Sequence, residues 1–389
     1  MTGTLHLITG EFPPDVGGVG DYCAGVARGL AATGLDVHVW CTTGGEPSGI
    51  EGAAVHRVAA WTGRHLRDVG RAMDAIDASA PMLVQWVPHA YGRRSLNLAF
   101  CRWVRRRARS GQPVDLMVHE PFLAFREGSW KQDAAASVHR VMIWLLLDAA
   151  RRVWISTPAW SDRLRPWTFR RKVPFEWLPV PSSIPVVRDA AAVMERRRGL
   201  AAGASTIVGH FGSYNRLGRR VLLERLPAIL ERVPDATAVL LGRGSEEFAA
   251  EVRTRSPRLA QRLVATRVLP ARDVSVHLQA CDVLLQPYVD GVTTRRTTVM
   301  AGLAHAIPIV TTSGRDTEPI WRESGAVELA PSADPEGFVR CALALVGDRP
   351  RRERLADAGR SLYDAHFALD RTIETLRLAA VADAAAAAA

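Results

Sequence analysis

The chain has 389 residues, which is too long for one ordinary hydrophobic core and suits two domains of roughly 190 residues each. Hydrophobic residues make up 48% of it and charged residues 23%, a composition that excludes a disordered or fibrous protein. The net charge of +10 predicts attraction to an anionic partner, such as a phosphorylated ligand, a membrane surface or nucleic acid.

The cysteines and the apolar runs indicate the compartment. The five cysteines are scattered and none has the C-x-x-C spacing of a metal site, which favours a reducing cytoplasm. The first residues lack the basic region of a secretory signal, and the longest apolar runs are far too short to span a bilayer. We therefore expect a cytoplasmic protein.

The beginning of the chain predicts a β-α-β unit. An apolar run at residues 5–9 is typical of a buried strand, and the apolar positions from Val19 to Leu30 recur with the 3.6-residue spacing of a helix. Gly34 provides a helix stop before a second strand-like run at residues 37–40.

Gly17 and Gly18 lie just ahead of this predicted helix. Glycines there let the backbone approach a ligand closely, and a helix N-terminus offers N–H groups and a positive dipole to an anion such as phosphate. A tight turn without a ligand explains the two glycines equally well, because a glycine loop alone is a weak motif.

The rest of the first half alternates strand-like and helical segments. Strand-like runs at residues 83–87, 116–119 and 153–156 are separated by longer helical patterns, which is the rhythm of a parallel sheet flanked by helices. A proline-rich connection at residues 174–185 predicts a domain boundary.

The second half repeats this rhythm. We predict strands at residues 207–212, 238–242 and 283–285 and helices at residues 221–233 and 248–253. A helix-rich stretch follows and ends in an alanine-rich tail that we expect to be frayed. The expected organisation is an N-terminal Rossmann-like domain at residues 1–180, a C-terminal Rossmann-like domain at residues 181–365, and a C-terminal helix with its tail at residues 366–389 that could pack back on the N-terminal domain.

Basic and aromatic residues are interleaved in two segments, at residues 91–109 and 160–177. This pattern suits the interface of an anionic membrane, and a solvated helix face is the alternative. No helix-turn-helix, RNP-like or zinc-finger pattern is present in the sequence, so nucleic acid is not expected as a partner.

Several motifs follow one another along the chain. They are Glu11-Phe12-Pro13-Pro14 followed by Gly17-Gly18-Val19, then Val118-His119-Glu120, Gly242-Arg243-Gly244, the segment from Asp282 to Pro287, and the segment from Ala304 to Val310. In this order they resemble glycosyltransferase family 4, over nearly the whole chain. The most specific are the PP-x-x-GGV loop and the stretch from D-V-x-x-x-P to P-x-V.

The resemblance implies an α/β fold of the GT-B type, with two Rossmann-like domains facing each other across a cleft. It implies an acceptor in the N-terminal domain and a nucleotide sugar held mostly by the C-terminal domain. It also implies retention of anomeric configuration, no bound metal, and no cofactor besides the nucleotide sugar as co-substrate.

The resemblance also assigns roles to single residues. Gly17 and Gly18 would face the donor diphosphate, His119 would be the strand-end histidine near the donor sugar, and Glu318 resembles the family glutamate after the P-x-V strand. Glu120 could orient His119 or act on the acceptor hydroxyl, or it could only cap the next segment. The catalytic candidates are therefore His119 and Glu120.

Near the P-x-V strand the sequence departs from the family pattern. The family carries two glutamates separated by seven residues, and the later one, which holds ribose, falls on Ala301 here. Asp290 is the candidate replacement for the earlier one.

A family lysine after the first strand of the C-terminal domain falls on Leu217. Arg216 could take its role, or Arg295 and Arg296 could supply the charge from another loop, because the planar guanidinium can bond two diphosphate oxygens at once. Surface residues without a ligand are the alternative for these arginines.

His89 and Tyr22 are the candidate acceptor contacts, and a capping or packing role is the alternative for His89. Together the residues predict a retaining glycosyltransferase that moves a sugar from a nucleotide diphosphate sugar to a hydroxyl of a glycan, lipid-linked or small-molecule acceptor, in the cytoplasm or at the inner face of the membrane. Two alternatives stay open: a non-catalytic nucleotide-sugar-binding protein of the same fold, because two family positions are lost, and a nucleotide-sugar epimerase.

Overall fold

The computed structural model describes residues 3–15, 17–92, 95–126, 128–169, 171–201, 203 and 205–380, and the helical backbone of residues 381–388. The chain forms two compact units. The first consists of Met1–Val180 together with Leu369–Ala389, and the second of Pro181–Ala368.

The first unit is built on a parallel sheet with strand order β3-β2-β1-β4-β5-β6-β7. Its strands are β1 (Thr4–Thr9), β2 (Asp36–Cys41), β3 (Ala53–Arg57), β4 (Met82–Trp86), β5 (Val114–Val118), β6 (Arg152–Ile155) and β7 (Phe175–Trp177). Its helices are α1 (Gly18–Ala32), α2 (Gly63–Asp77), α3 (Leu98–Arg109), α4 (Trp130–Ala149) and α5 (Ala159–Leu164), followed by a 3₁₀ turn (Arg165–Thr168). Because β4 and β5 are buried at every position, they show the nearly continuous apolar runs of strands covered on both faces, each with one polar residue.

The C-terminal helix α15 (Leu369–Ala388) packs on α1 within the first unit. Two α1 glycines make room for it, because a Cβ on Gly25 would touch Leu369 and a Cβ on Gly29 would collide with Ile373. The helix continues through the alanine-rich tail to Ala388, where the sequence predicted fraying.

The second unit is built on a parallel sheet with strand order β10-β9-β8-β11-β12-β13. Its strands are β8 (Thr206–Phe211), β9 (Ala236–Leu241), β10 (Leu263–Ala265), β11 (Val283–Gln286), β12 (Ile309–Ser313) and β13 (Glu328–Pro331). Its helices are α6 (Ala190–Ala201), α7 (Arg216–Leu223), α8 (Leu226–Arg232), α9 (Ser245–Arg255), α10 (Ala271–Gln279), α11 (Thr297–Ala304), α12 (Pro319–Glu323), α13 (Pro335–Gly347) and α14 (Arg349–Leu362), with a 3₁₀ turn at Pro257–Arg262 and a π-helical turn at Tyr363–Phe367.

In each sheet the order in which successive strands are added reverses at one pair of neighbouring strands. This switch lies between β1 and β4 in the first unit and between β8 and β11 in the second. Ligands of open parallel sheets bind outside the carboxyl ends of the strands at such a switch point. The loops after β1 and β4, and those after β8 and β11, are therefore the segments to inspect for function.

The structure corrects two local predictions. The single helix predicted at residues 221–233 is wrong: the chain forms α7 and α8 with a break at Arg225, whose side chain is buried, and Pro227 lies in the first turn of α8, where its missing N–H costs nothing. The proline-rich connection contains the short strand β7, which pairs with β6. None of the helices over the described residues is long and apolar enough to cross a bilayer.

Candidate functional site

The glutamate of the first motif lies at the N-terminus of α1. A Cβ on Gly17 would stand 2.5 Å from Glu11 Oε2, so the absence of a side chain at Gly17 makes room for this carboxylate. Burial raises the pKa of Glu11, while the charge of His89 and hydrogen bonds from the backbone N–H groups of Val19 and Gly20 act in the opposite direction. The carboxylate thus occupies the place where the helix N-terminus attracts an anion.

His119 follows β5 and is buried. Its Nε2 lies 2.9 Å from Gln85 Oε1. Because an amide oxygen only accepts hydrogen bonds, His119 Nε2 carries the proton and Nδ1 is left as an acceptor. Burial lowers the pKa of His119 to about 3, so the ring is neutral at physiological pH.

Tyr22, the second candidate acceptor contact, is buried beside His119. It is 3% exposed, because its position on α1 faces the core, and its ring meets His119 edge-on with a centroid distance of 5.0 Å. Within the described residues, the Tyr22 hydroxyl and Gln85 Nε2 are buried without a hydrogen-bond partner. The structure thus brings Tyr22, Gln85 and His119 into one buried polar group.

The other two candidates of the first unit are exposed at the same edge of the sheet. His89 follows β4, and Glu120 follows His119 at the end of β5. Both side chains can meet solvent or a ligand, as acceptor binding requires. Their roles stay predictions.

In the second unit, the loop after β11 carries a cationic cluster. Arg296 is the N-cap of α11, and its guanidinium carbon lies 4.4 Å from the ring centroid of Tyr288. Arg296 Nε is buried and has no hydrogen-bond partner in the described part of the chain. Burial raises the pKa of Tyr288, and the charges of Arg296 and Arg295 oppose this, which places both arginines near the ring.

Glu318 holds this loop in place. It is 5% exposed, and its Oε1 accepts hydrogen bonds from Thr294 N at 3.0 Å and Thr294 Oγ1 at 2.8 Å. Its Oε2 accepts one from Trp321 Nε1 at 2.8 Å. The carboxylate that we expected at the donor therefore bonds groups of the protein itself. One of its partners, Thr294, is two residues before Arg296 in the chain.

Asp290 sits at the turn of the same loop. Its Oδ1 lies 3.2 Å from Arg315 Nη2, and its side chain is 42% exposed. Gly291, next to it, has a φ of +88°, and a Cβ there would collide with Thr317. This close approach fixes the turn, so Asp290 presents its exposed carboxylate beside an arginine.

Arg216 is the first residue of α7, in the loop region after β8, and is exposed. It has no ion pair or hydrogen bond among the described residues that would hold its guanidinium. Nearby, His210 donates from Nδ1 to the Leu285 carbonyl oxygen at 2.7 Å, and burial lowers its pKa to about 4. The neutral His210 lies on β8, the strand that neighbours β11, and the exposed Arg216 follows at the start of α7.

Two further observations concern possible metal ligands and the basic residues of the two interleaved segments. Over the residues that the structure describes, no three His, Cys, Asp or Glu side chains are grouped to hold a metal ion. Of the basic residues in the interleaved segments, Arg93, Arg94 and Arg170 lie outside the described residues.

Comparison with known proteins identifies the class. The model described as Glycosyltransferase Family 4 matches residues 16–174, and the model described as Glycosyl transferases group 1 matches residues 205–348. Comparison with curated protein sequences finds no match.

Among solved structures, a sucrose-phosphate synthase from Thermosynechococcus elongatus is 16% identical with a TM-score of 0.73, and the match covers 100% of both chains. HepE from Anabaena, solved in complex with UDP and glucose, is 13% identical with a TM-score of 0.70 over 97% of this chain and 99% of its own. WaaG, a glycosyltransferase involved in lipopolysaccharide biosynthesis, is 13% identical with a TM-score of 0.68 over 96% and 98%.

Two Rossmann-like domains of parallel strands, with these neighbours, define the GT-B fold, and the predicted fold is confirmed. The two family models cover most of the chain, one in each half. The chain belongs to glycosyltransferase family 4, as its motifs predicted.

Sequence reasoning missed four residues of these edges: Glu11, Gln85, Tyr288 and His210. Glu11 stood in the quoted motif, but nothing in the sequence showed that its carboxylate would turn to the helix N-terminus. Gln85 is a polar residue within an apolar strand, and this was an available signal, because a buried amide needs partners.

Proposed function

We propose that the protein transfers a sugar, with retention of configuration, from a nucleotide diphosphate sugar to a hydroxyl of its acceptor. The observation that carries this proposal is Arg296, stacked on Tyr288 at the N-terminus of α11 with its Nε buried and unpartnered in the described part of the chain. Arginine at a helix N-terminus beside the switch point of a parallel sheet is suited to a diphosphate.

The donor diphosphate gains negative charge as the bond to the sugar breaks. Arg296 and Arg295 on one loop, and Arg216 on the neighbouring strand's loop, supply positive charge for it without a metal ion. HepE, which has the same fold, was solved with UDP and glucose, which supports a nucleotide-sugar donor and a hexosyl group here. In the first unit, the backbone of Gly17 and Gly18 stays a predicted donor contact.

His119 contributes as a neutral group. With a pKa of about 3 it does not act as an imidazolium acid, and its Nδ1 is available to accept a hydrogen bond. The proton of the attacking hydroxyl then passes to the departing phosphate oxygen. Glu120 and His89, both exposed at the same edge, are proposed to contact the acceptor.

The acceptor we propose is a glycan or a lipid-linked sugar, met at the cytoplasmic side of an anionic membrane in polysaccharide or glycolipid biosynthesis. The five cysteines are free, which fits a reducing compartment.

Thermal shift with UDP, GDP and ADP, and with their common sugar conjugates, tests the donor site, because a ligand of the folded state raises the Tm. We expect one nucleoside diphosphate to raise the Tm and an Arg296→Met variant to bind it about tenfold or more weakly, since a charge-assisted hydrogen bond contributes about 1.5–3 kcal/mol. Arg354→Met, at an exposed arginine of α14, is the matched control. If none of the nucleotides shifts the Tm, the proposal fails.

Product analysis with the stabilising nucleotide's sugar conjugate separates the alternatives. A transferase releases the nucleoside diphosphate as acceptor is glycosylated. Isomerisation of the nucleotide sugar without acceptor would identify an epimerase, and binding without any turnover would identify a non-catalytic protein.

A further inference from the structure

The outer face of α4 is exposed and, apart from Ser137, apolar. Five residues spaced three or four apart share this face: Trp130, Ala134, Ser137, Val141 and Trp144. Trp130 is 75% exposed and Val141 43%, and only Trp144 is partly covered. We call these five residues the outer stripe; it extends about 21 Å along the helix.

Aromatic residues from neighbouring segments lie beside α4: Phe169 at Trp144, and Phe125 at Arg140. Phe169, which is 69% exposed, meets Trp144 edge-on at a centroid distance of 6.0 Å. Phe125, which is 56% exposed, precedes Trp130 in the loop before α4. Several large aromatic side chains exposed around one helix indicate an interaction site.

Cations lie directly over these rings. Lys131 Nζ is 5.7 Å from the Trp130 ring centroid, Arg105 Cζ is 5.1 Å from that of Trp144, and Arg140 Cζ is 3.8 Å from that of Phe125. Trp130, Trp144 and Phe125 therefore each have a positive charge beside the ring.

The carboxylates of α4 are already engaged. Asp148 pairs with Arg105 at 2.5 Å and with Arg109 at 3.6 Å, and Asp133 accepts a hydrogen bond from the Arg126 backbone N–H at 2.8 Å. The side chain of Arg109 remains 66% exposed. Four cations, Lys131, Arg105, Arg109 and Arg140, lie on this surface with these two carboxylates, so its net charge is positive.

We propose that the outer stripe, with Phe125 and Phe169, docks the protein on an anionic lipid surface. The rings enter the boundary between headgroups and acyl chains, and the cations beside them meet lipid phosphates. The loop that carries Phe125 starts at Glu120, directly after His119, so the docked surface and the candidate acceptor edge share one segment. This inference rests on the proposed function, because a lipid-linked acceptor would reach the protein from the membrane at this surface.

Sedimentation of the full chain with vesicles tests it. We expect binding to vesicles containing phosphatidylglycerol at low salt, weaker binding at high salt, and much weaker binding to phosphatidylcholine alone. A Trp130→Ser/Phe169→Ser double variant should partition about tenfold more weakly for each side chain removed. Met194→Ser, at a methionine 64% exposed in the second unit, is the matched control and should bind as the parent protein does.

Three outcomes overturn the proposal: no binding of the parent protein to anionic vesicles at low salt, equal binding to phosphatidylcholine vesicles, or unchanged binding of the double variant. The thermal shift with nucleoside diphosphate is measured on the same samples. An intact shift shows that the variant is folded, and Trp130→Ser alone serves if the double variant is not. Vesicle binding without any nucleotide shift would sustain the docking surface while the proposed function fails.

Discussion

Replacing Glu318 by alanine should loosen the loop that carries the candidate donor arginines. The carboxylate accepts hydrogen bonds from two groups of Thr294 and from the indole N–H of Trp321. Glu318 is 5% exposed, so water cannot readily replace the lost acceptor. The substitution therefore leaves three buried donors without their partner.

The size of the effect follows from those three donors. Each unsatisfied buried donor costs about 1 kcal/mol, so the loop loses about 3 kcal/mol of local stability, which corresponds to roughly a hundredfold more frequent opening. Glu318→Gln keeps an oxygen for Thr294 but turns an NH₂ group toward the Trp321 N–H. We expect it to lose about 1 kcal/mol and to fall between the parent protein and Glu318→Ala.

Hydrogen exchange at the Thr294 amide measures this opening directly, because that N–H is one of the three donors. Glu323→Ala is the matched control, since Glu323 is an exposed glutamate at the other end of the same short helix. Equal exchange in Glu318→Ala and in the parent protein would refute the reasoning. The reasoning would also be refuted if the exchange rate of the Thr294 amide did not decrease in the order Glu318→Ala, Glu318→Gln, Glu323→Ala.

Three further predictions concern buried groups. Gln85→Glu should raise the pKa of His119 from about 3, because a carboxylate beside the ring stabilises the imidazolium, and NMR titration of the histidine measures it; an unchanged value would contradict the contact. His119 and His210 have folded pKa values of about 3 and about 4, below the unfolded 6.5, so the unfolded chain binds protons that the native state does not. Stability is then fully present above pH 6.5 and falls as the pH is lowered toward 4, and a Tm that stays constant over this window would argue against burial of both rings. Gly29→Ala should lower the stability by about 1–3 kcal/mol through collision with α15, whereas Gly199→Ala, in an open position of α6, should raise it by about 1 kcal/mol; denaturant midpoints decide, and equal signs would refute the packing argument.

The alternation of apolar runs and helical patterns was enough to predict both Rossmann-like domains. Central strands such as β4 and β5 are apolar at nearly every position, so their pattern does not depend on which neighbour they pair with. Short elements and helix breaks were harder to predict. The strand β7 has three residues between prolines, and the break between α7 and α8 falls at Arg225, an arginine that is buried although this residue type is mostly found on surfaces.

Site prediction was limited by side-chain direction. Motif order located the edges of the sheets and named Arg296, but the sequence could not show that Arg296 would lie on Tyr288 or that Glu318 would turn inward to Thr294. Tyr22 illustrates the same limit. A position three or four residues from the start of a helix can face the ligand or the core, and here it faces His119.

The N–H groups at the N-terminus of α1 already have an acceptor within the protein. The loop was predicted to offer its N–H groups to a diphosphate, yet the Glu11 carboxylate accepts from Val19 and Gly20. Burial raises the pKa of this carboxyl, so its charged form is less favoured there than in water. An incoming anion would have to displace Glu11 or meet it in its neutral form, and the nearby charge of His89 favours the carboxylate. The glycine loop therefore makes room for the Glu11 carboxylate, and any phosphate at this helix competes with Glu11 for the same N–H groups.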